Sequence, residues 1–184
     1  MTRLIGLVGR KRVGKDTVAG RLVSAHGFVR HAFADLLRDA ALGLDPIVLP
    51  AEPAWASRRL SEVVTHRGWE GAKEIPEVRR TLQRYGMTIR QVDEDFWVRP
   101  VMANIAADVR PAVITDVRFP NEARALESAG GVLVRIVRPG LDESDTHESE
   151  TALADYPIAH TIVNDGDVGH LRRLAEGLLL RMTQ

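Results

Sequence analysis

The chain has 184 residues and a formal net charge of zero, because 25 Lys and Arg balance 25 Asp and Glu. This balance argues against a protein selected for long nucleic acids or anionic membranes, and 45% hydrophobic residues suffice for a globular core. The lack of cysteine excludes disulfides, thiolate metal sites and cysteine nucleophiles. The apolar run Leu4 to Val8 is too short for a secretory signal or a membrane span, so we expect a cytoplasmic protein.

The first part of the chain alternates between strand and helix patterns. Leu4 to Val8 is apolar throughout and is followed by glycine, which is typical of a central strand in a parallel sheet. Prolines break the pattern between 43 and 75, where only a helix over 57–65 is predicted. The other elements predicted here are a helix over 14–26, a strand over 28–32 and a helix over 35–42.

The remainder of the chain continues this alternation. Ala112 to Thr115 predicts a second buried strand, and the helix expected over 121–129 stops at Gly130 and Gly131. The further elements predicted are helices over 77–85, 94–109 and 168–182, and strands over 132–137 and 160–163. The pattern predicts one α/β domain over residues 1–184, with a parallel sheet of about five strands flanked by helices.

The strongest motif follows the first strand, where residues 9–17 read GRKRVGKDT and match GxxxxGK. Glycines let such a loop wrap an anion, and its amides and the positive end of the next helix cradle phosphate. The motif predicts a three-layer P-loop NTPase fold in which Lys15 reaches the β- and γ-phosphates of a nucleotide. The residues expected at these phosphates are Gly9, Arg10, Lys11, Arg12, Val13, Gly14, Lys15, Asp16 and Thr17.

Three oxygen-bearing side chains are candidates for Mg²⁺. Asp16 stands where Ser or Thr usually contacts the metal, so either its carboxylate binds Mg²⁺, directly or through water, or Thr17 does so and Asp16 only caps the helix. Asp116 ends a buried strand at the edge where ligands gather. It is expected to hold the water shell of Mg²⁺ or orient an acceptor phosphate, or else to cap the helix near Pro120.

Arginines form the second set of candidates, since guanidinium groups suit phosphate. Arg118 is expected to contact a phosphate or to pair with Glu122, and Arg135 to face solvent. Arg138 begins an irregular acidic stretch, residues 139–156, which we call the lid segment because it is expected to close over the site. The remaining candidates, each also explicable as a solvated surface residue, are Arg38, Arg79, Arg80, Arg84, Arg90 and Arg99, with Gln83 on the same helix.

Six segments along the chain together carry a family resemblance. They are GRKRVGKDT at 9–17, FADLLR at 33–38, LQRYGMTIR at 82–90 followed by Asp95-Phe96-Trp97, ITDVRFPNEA at 114–123, DTHESE at 145–150 and IVNDGD at 162–167. In these segments the chain resembles the phage-type deoxynucleoside monophosphate kinases of the adenylate-kinase-like P-loop group. One departure is Gly86-Met87-Thr88, where the family usually has Gly-Thr-Glu.

The resemblance implies transfer of the γ-phosphate of ATP, with Mg²⁺, to a deoxynucleoside monophosphate. It implies a mobile acceptor-binding insert over 43–92, a mobile lid segment, and Asn164, Asp165 and Gly166 near the adenine of ATP. On the monophosphate side it suggests Phe33, Asp35 and Arg38, with the segment from Gln83 to Arg90. Together with the candidates from the residues themselves, the expected substrate-binding set is Phe33, Asp35, Arg38, Arg80, Gln83, Arg84, Arg90, Trp97 and Asp116. Catalysis is expected from cations that offset charge on the transferred group, and the candidates are Lys15, Arg90, Arg118 and Arg138.

Two other functions fit the same motifs. A related small-molecule kinase, acting on dephospho-coenzyme A or phosphomevalonate, would share the loop and the sheet. A non-catalytic switch would hold ATP without an acceptor. In each case we expect small-molecule partners, no long nucleic acid and no membrane, in the cytoplasm (the host's, if a phage encodes the chain), as a monomer or a homodimer.

Overall fold

A computed structural model of the chain describes residues 4–141 and 147–182, apart from the side chain of Trp55. It divides into two compact units, one formed by residues 1–33 and 98–184 and the other by residues 34–97. The predicted insert, 43–92, lies within the second unit. Within the described ranges, no helix combines the length and apolar character needed to cross a bilayer.

The elements alternate much as predicted, with additions in the second unit and with one short helix in the lid segment, which was expected to be irregular. In chain order they are β1 (Leu4–Val8), α1 (Lys15–His26), β2 (Val29–His31), α2 (Phe33–Leu44), β3 (Ile47–Leu49), a 3₁₀ helix (Ala54–Ala56), β4 (Arg58–Arg59), α3 (Leu60–Ala72), α4 (Pro76–Val92), α5 (Val98–Ala107), β5 (Ala112–Val117), α6 (Pro120–Ser128), β6 (Val132–Val137), α7 (Glu148–Thr151), β7 (His160–Val163) and α8 (Val168–Arg181).

The first unit is built on a five-stranded sheet in the order β2-β5-β1-β6-β7. All four pairings are parallel, with Ile5 beside both Val113 and Val132 in the registers of β1 with β5 and β6. The central strand β1 is buried along its whole length, which is why its sequence is apolar at every position. This architecture confirms the predicted α/β fold with five parallel strands.

Helices cover both faces of this sheet. Ile5 and Leu7 pack with side chains of α1 and α8, including Leu22 and Leu171, in one buried cluster. Successive side chains of a strand point to opposite faces, so Gly6 faces the other layer. There a Cβ on Gly6 would lie 2.4 Å from Cδ1 of Leu126 in α6, so the glycine lets this helix approach closely. The result is the expected three-layer arrangement.

The second unit has its own core, formed by Ala41, Val48, Leu60, Val63, Ala72, Ile75 and Val78. The short strands β3 and β4 pair antiparallel and were not predicted. Helix α4 extends to Val92, seven residues beyond the predicted end at Tyr85, and α3 contains a break at Gly68, where φ is 65°. Helix α5, which belongs to the first unit, begins at Val98 rather than at residue 94, which places Pro100 in its first turn, where proline is tolerated.

Candidate active site

The loop between β1 and α1 has the geometry that the GxxxxGK motif predicts. Its backbone has positive φ at Gly9 (146°), Arg12 (63°) and Gly14 (110°). A Cβ at Gly9 would lie 2.4 Å from the carbonyl oxygen of Ile136, and one at Gly14 would lie 2.6 Å from Leu171. Glycine is therefore required at both positions, by conformation and by space. Helix α1 begins directly behind the loop and directs its positive end toward it.

Lys15 lies at the mouth of this loop. Its ammonium donates hydrogen bonds to the carbonyl oxygens of Gly9 at 2.5 Å and Arg10 at 2.7 Å. Burial, and next the nearby charge of Arg118, lower the pKa of Lys15 to about 8. Three carboxylates, those of Glu150, Asp16 and Asp116, act in the opposite direction. Lys15 is thus a partly buried cation in a cluster of positively and negatively charged side chains.

An open cavity of about 490 Å³ adjoins the loop. Its lining joins the loop to Arg138 and to the segment between β7 and α8. The predicted site residues that the cavity brings together are Arg12, Gly14, Lys15, Asp16, Thr17, Arg138, Asn164 and Gly166. Asp165 is exposed and instead faces the ring of His170, with Oδ1 and Nε2 3.4 Å apart.

Asn164 supports the loop from below. It is only 6% exposed, and its side-chain amide donates to the carbonyl oxygen of Val13 at 2.8 Å. Its backbone N–H donates to the carbonyl oxygen of Val137 at 2.8 Å. The residue that the family resemblance suggests for the adenine end of ATP is therefore also bonded to the phosphate loop.

Asp116 caps a helix, but not the helix considered from the sequence. Its Oδ1 accepts the backbone N–H of Phe33, the first residue of α2, at 2.9 Å. The start of α6 is instead capped by Glu122, whose Oε2 accepts the N–H groups of Phe119 at 3.1 Å and Arg118 at 2.6 Å. The interpretation of Asp116 as the cap near Pro120 is therefore wrong.

Arg118 turns toward α7. Its guanidinium forms an ion pair with Glu150 and donates to the carbonyl and hydroxyl oxygens of Ser149, each at 3.2 Å. The ion pair considered from the sequence, with Glu122, is replaced by this one, because the Oε2 of Glu122 accepts the backbone N–H of Arg118. Glu150 was not singled out from the sequence, although it ends the DTHESE segment.

Arg135 does not simply face solvent, as the sequence predicted. Its Nη2 donates to the carbonyl oxygens of Leu153 at 2.9 Å and Tyr156 at 3.0 Å. The reason is that the end of the lid segment passes over β6 and presents carbonyl groups to it. Residues 142–146 of the lid segment, including Asp145 and Thr146 of the DTHESE motif, lie outside the described residues, and its mobility stays a prediction.

Several predicted acceptor-side residues form contacts within the second unit. Arg38 pairs with Asp35 at 3.1 Å, and its guanidinium lies 5.7 Å from the ring centroid of Trp69. Arg80 forms an exposed ion pair with Glu77. Such pairs contribute little in water and exchange readily for a phosphate, so these arginines stay candidates for anion binding.

The remaining candidates for binding the monophosphate on helix α4 have side chains that are at least partly exposed. Arg90 donates to the carbonyl oxygen of Glu94 at 3.2 Å, Arg84 is exposed and Gln83 is half-buried. All three stay predictions for the monophosphate side.

Two predicted substrate residues have buried rings. Phe33 is 3% and Trp97 is 5% exposed. The Nε1 of Trp97 donates to the carbonyl oxygen of Gly86 at 3.4 Å, and its ring packs edge-on against Tyr85 and Phe96. Buried rings of this kind fit a role in holding neighbouring segments better than direct contact with a substrate.

Comparison with known proteins identifies the family. The sequence model of the family described as deoxynucleotide monophosphate kinase matches residues 54–174. A relative from Acanthamoeba polyphaga mimivirus, named provisionally as a deoxynucleotide monophosphate kinase, is 35% identical over 167 residues, which are 82% of this chain and 81% of that protein. The deoxynucleotide monophosphate kinase of Escherichia phage RB69 is 28% identical over 108 residues, 55% of this chain and 44% of the phage protein.

Solved structures support the fold. Shikimate kinase from Acinetobacter baumannii in complex with shikimate aligns with 100% of this chain and 94% of its own, with a TM-score of 0.50 and 14% identity. Identity this low shows a shared fold alone. The family match spans more than half of the chain, and the mimivirus relative spans most of it. The chain therefore belongs to the deoxynucleotide monophosphate kinase family and is a kinase.

Proposed function

We propose that this kinase transfers the γ-phosphate of ATP to a deoxynucleoside monophosphate, giving ADP and a deoxynucleoside diphosphate. The observation that carries the proposal is the cavity of the first unit, where the phosphate loop, Lys15, Arg138 and Asn164 line one space. The names of the mimivirus and phage relatives support the class of acceptor.

The phosphates of ATP would lie against the loop. The loop amides and the positive end of α1 favour an anion there, and Lys15 and Arg138 add two cations. Lys15 now donates to two loop carbonyls. Phosphate oxygens carry more negative charge than carbonyl oxygens and are stronger acceptors, so we expect Lys15 to turn to the β- and γ-phosphates. The adenine end of ATP would then lie in the part of the cavity that Asn164 and Gly166 line.

The donor atoms beside the loop fit Mg²⁺. In residues 4–141 and 147–182, no three acidic or histidine side chains converge as a metal cage. Nucleotide-bound Mg²⁺ requires only one or two protein oxygens, because phosphates and waters complete its shell. Asp16 and Thr17 line the cavity and offer such oxygens, and Asp116 is close enough to affect the pKa of Lys15. When bound, Mg²⁺ offsets charge on the phosphates.

The acceptor phosphate is already ionised at neutral pH and attacks without a general base. Catalysis then depends on alignment and on cations that stabilise the transferred group. Arg38, Arg84 and Arg90 are our candidates for binding the acceptor phosphate. Lys15, Arg118 and Arg138 are our candidates for stabilising the transferred group.

The reaction consumes ATP and requires Mg²⁺, both of which the cytoplasm supplies, so we propose that the protein acts there on small nucleotides. Light scattering during gel filtration distinguishes a monomer from a homodimer.

An acceptor panel with ATP and Mg²⁺ tests the proposal. Deoxynucleoside monophosphates and their ribose counterparts are compared with dephospho-coenzyme A and phosphomevalonate by the rate of ADP release. We expect deoxynucleoside monophosphates to stimulate ADP release most. Stimulation by one of the other two compounds alone would indicate a different small-molecule kinase. Tight ATP binding with no stimulation by any acceptor would indicate a non-catalytic switch.

A further inference from the structure

Glu150 joins three parts of the first unit through one carboxylate. Its side chain is 7% exposed, although it lies on the short helix α7. Oε2 accepts the backbone N–H of Lys11 in the phosphate loop at 2.8 Å, and Oε1 pairs with the guanidinium of Arg118. A carboxylate buried to this degree is costly unless charged or polar partners compensate it, and here they do.

Arg118 is held at both ends of the residue. Its backbone N–H is fixed by Glu122 at 2.6 Å, and its side chain by Glu150 and by two oxygens of Ser149. The Arg118 side chain thus has a defined direction, toward α7, and its charge is close enough to act on Lys15. Removing the Glu150 carboxylate would break both its ion pair with Arg118 and its hydrogen bond with the N–H of Lys11.

Charge gives the same carboxylate a second role. The charges of Arg118 and Glu150 both act on Lys15, and Arg12 and Arg138 line the same cavity as Lys15. Arg118 and Lys15, two cations this near, repel each other, and a carboxylate between the loop and Arg118 offsets that repulsion.

We propose that Glu150 is a positioning residue for phosphoryl transfer. It joins the phosphate loop to Arg118, so that Arg118 and Lys15 contact the same phosphoryl group. The inference rests on the proposed function, because it requires a nucleotide at the loop. Glu150 itself touches no reacting atom and acts through Arg118.

The test compares Glu150→Gln with Glu148→Gln, an exposed carboxylate of the same helix. Glutamine can still accept the N–H of Lys11 but no longer attracts Arg118 by charge. We expect kcat to fall about 10- to 100-fold in Glu150→Gln, as for a misplaced catalytic group, with a change in KM for ATP below about threefold. Glu150→Asp should recover part of kcat, and Glu148→Gln should match the wild type.

A double-mutant cycle tests whether the effect passes through Arg118. If it does, Arg118→Gln combined with Glu150→Gln loses no more activity than Arg118→Gln alone. If the double variant instead loses activity by the product of the two single-variant factors, Glu150 and Arg118 act independently, and the inference is overturned. A rise in kcat/KM for ATP in Glu150→Gln would also overturn it, since the carboxylate would then compete with phosphate.

A measurement without substrate separates this inference from the proposed function. The chain has three lysines, Lys11, Lys15 and Lys73, so NMR of ¹⁵N-lysine-labelled protein can follow the backbone amide of Lys11 directly. We expect Glu150→Gln to shift the amide resonance of Lys11, because this N–H donates to Oε2 of Glu150 at 2.8 Å. A wild type inactive on every acceptor would overturn the proposed function. An active wild type, with kcat and the Lys11 amide resonance unchanged in Glu150→Gln, would overturn the inference alone.

Discussion

The side-chain amide of Asn164 donates a 2.8 Å hydrogen bond to the carbonyl oxygen of Val13, a residue 151 positions earlier in the chain. This bond joins the end of β7 to the phosphate loop, and both residues are buried. The shape of the loop therefore depends on a strand that pairs at the edge of the sheet.

Asn164→Ala should weaken both stability and ATP binding. It leaves the Val13 carbonyl without its buried donor, which costs about 1–3 kcal/mol of the free energy of unfolding. We expect KM for ATP to rise more than kcat falls. Urea denaturation and steady-state kinetics measure the two effects. Thr161→Ala, at an exposed position of β7, should stay within about 0.5 kcal/mol of the wild type, and equal losses in both variants would contradict the role of the bond.

Lys15→Ala should lower kcat by roughly two or more orders of magnitude, since one preorganised charge contact with the transferred group is lost. ADP release with a deoxynucleoside monophosphate measures it, and circular dichroism checks the fold. Arg110→Ala removes an exposed cation that pairs with Asp108 and should leave activity unchanged. Near-normal turnover by a folded Lys15→Ala protein would exclude the assigned role.

The alkaline limb of the activity profile should report Lys15. Its pKa is lowered to about 8, so the free enzyme loses this cation as the pH rises through that value. We therefore expect kcat/KM for ATP to decline above about pH 8. A profile that stays flat to pH 9.5 would show that the charge of Lys15 is not needed for ATP capture.

The free energy of unfolding should also depend on Lys15, but it should rise with pH where activity declines. The folded pKa of Lys15, about 8, lies below its ordinary value of 10.5, so the unfolded chain binds more protons between these values. The contribution of Lys15 to the free energy of unfolding therefore rises with pH across this window. Urea denaturation of the wild type and of Lys15→Met at several pH values isolates this contribution. We expect the free energy of unfolding of the wild type to rise relative to that of Lys15→Met as the pH increases. A constant difference would contradict the lowered pKa.

Arg135→Ala should release the end of the lid segment. Two hydrogen bonds from a charged donor to the carbonyls of Leu153 and Tyr156 are lost, each about 1.5–3 kcal/mol in general. We expect faster amide hydrogen exchange over residues 147–156 and a smaller change in the rest of the unit. Arg172→Ala, exposed on α8, serves as the control and should leave this exchange unchanged.

The sequence was most informative where one local rule determines the structure. β1 and the first three residues of β5 are apolar because both faces of a central parallel strand are buried, and the glycines of the loop are required by φ. The pair β3 and β4 was missed because it has only three and two residues, with Ile47 and Leu49 exposed. Helix α4 was predicted too short because Gly86 interrupts its pattern, yet that glycine is buried against Leu37.

Long-range pairing explains what the sequence missed in the site. Glu150 meets Lys11 across 139 positions and Arg118 across 32. No spacing rule for helices or strands connects such residues, so the acidic character of 142–150 alone indicated only an irregular segment. Family resemblance located the segment but not the side chain that joins it to the loop.

The order of strands also bears on synthesis. β1 lies between β5 and β6, which begin at Ala112 and Val132. At about 5–20 residues per second, a ribosome makes β1 on the order of ten seconds before either neighbour exists. During that interval a wholly apolar strand has no sheet to join and is a natural client for chaperones. Nascent chains that end before Ala112 should accordingly be unable to retain ATP, since the strand that presents the loop lacks both flanking partners.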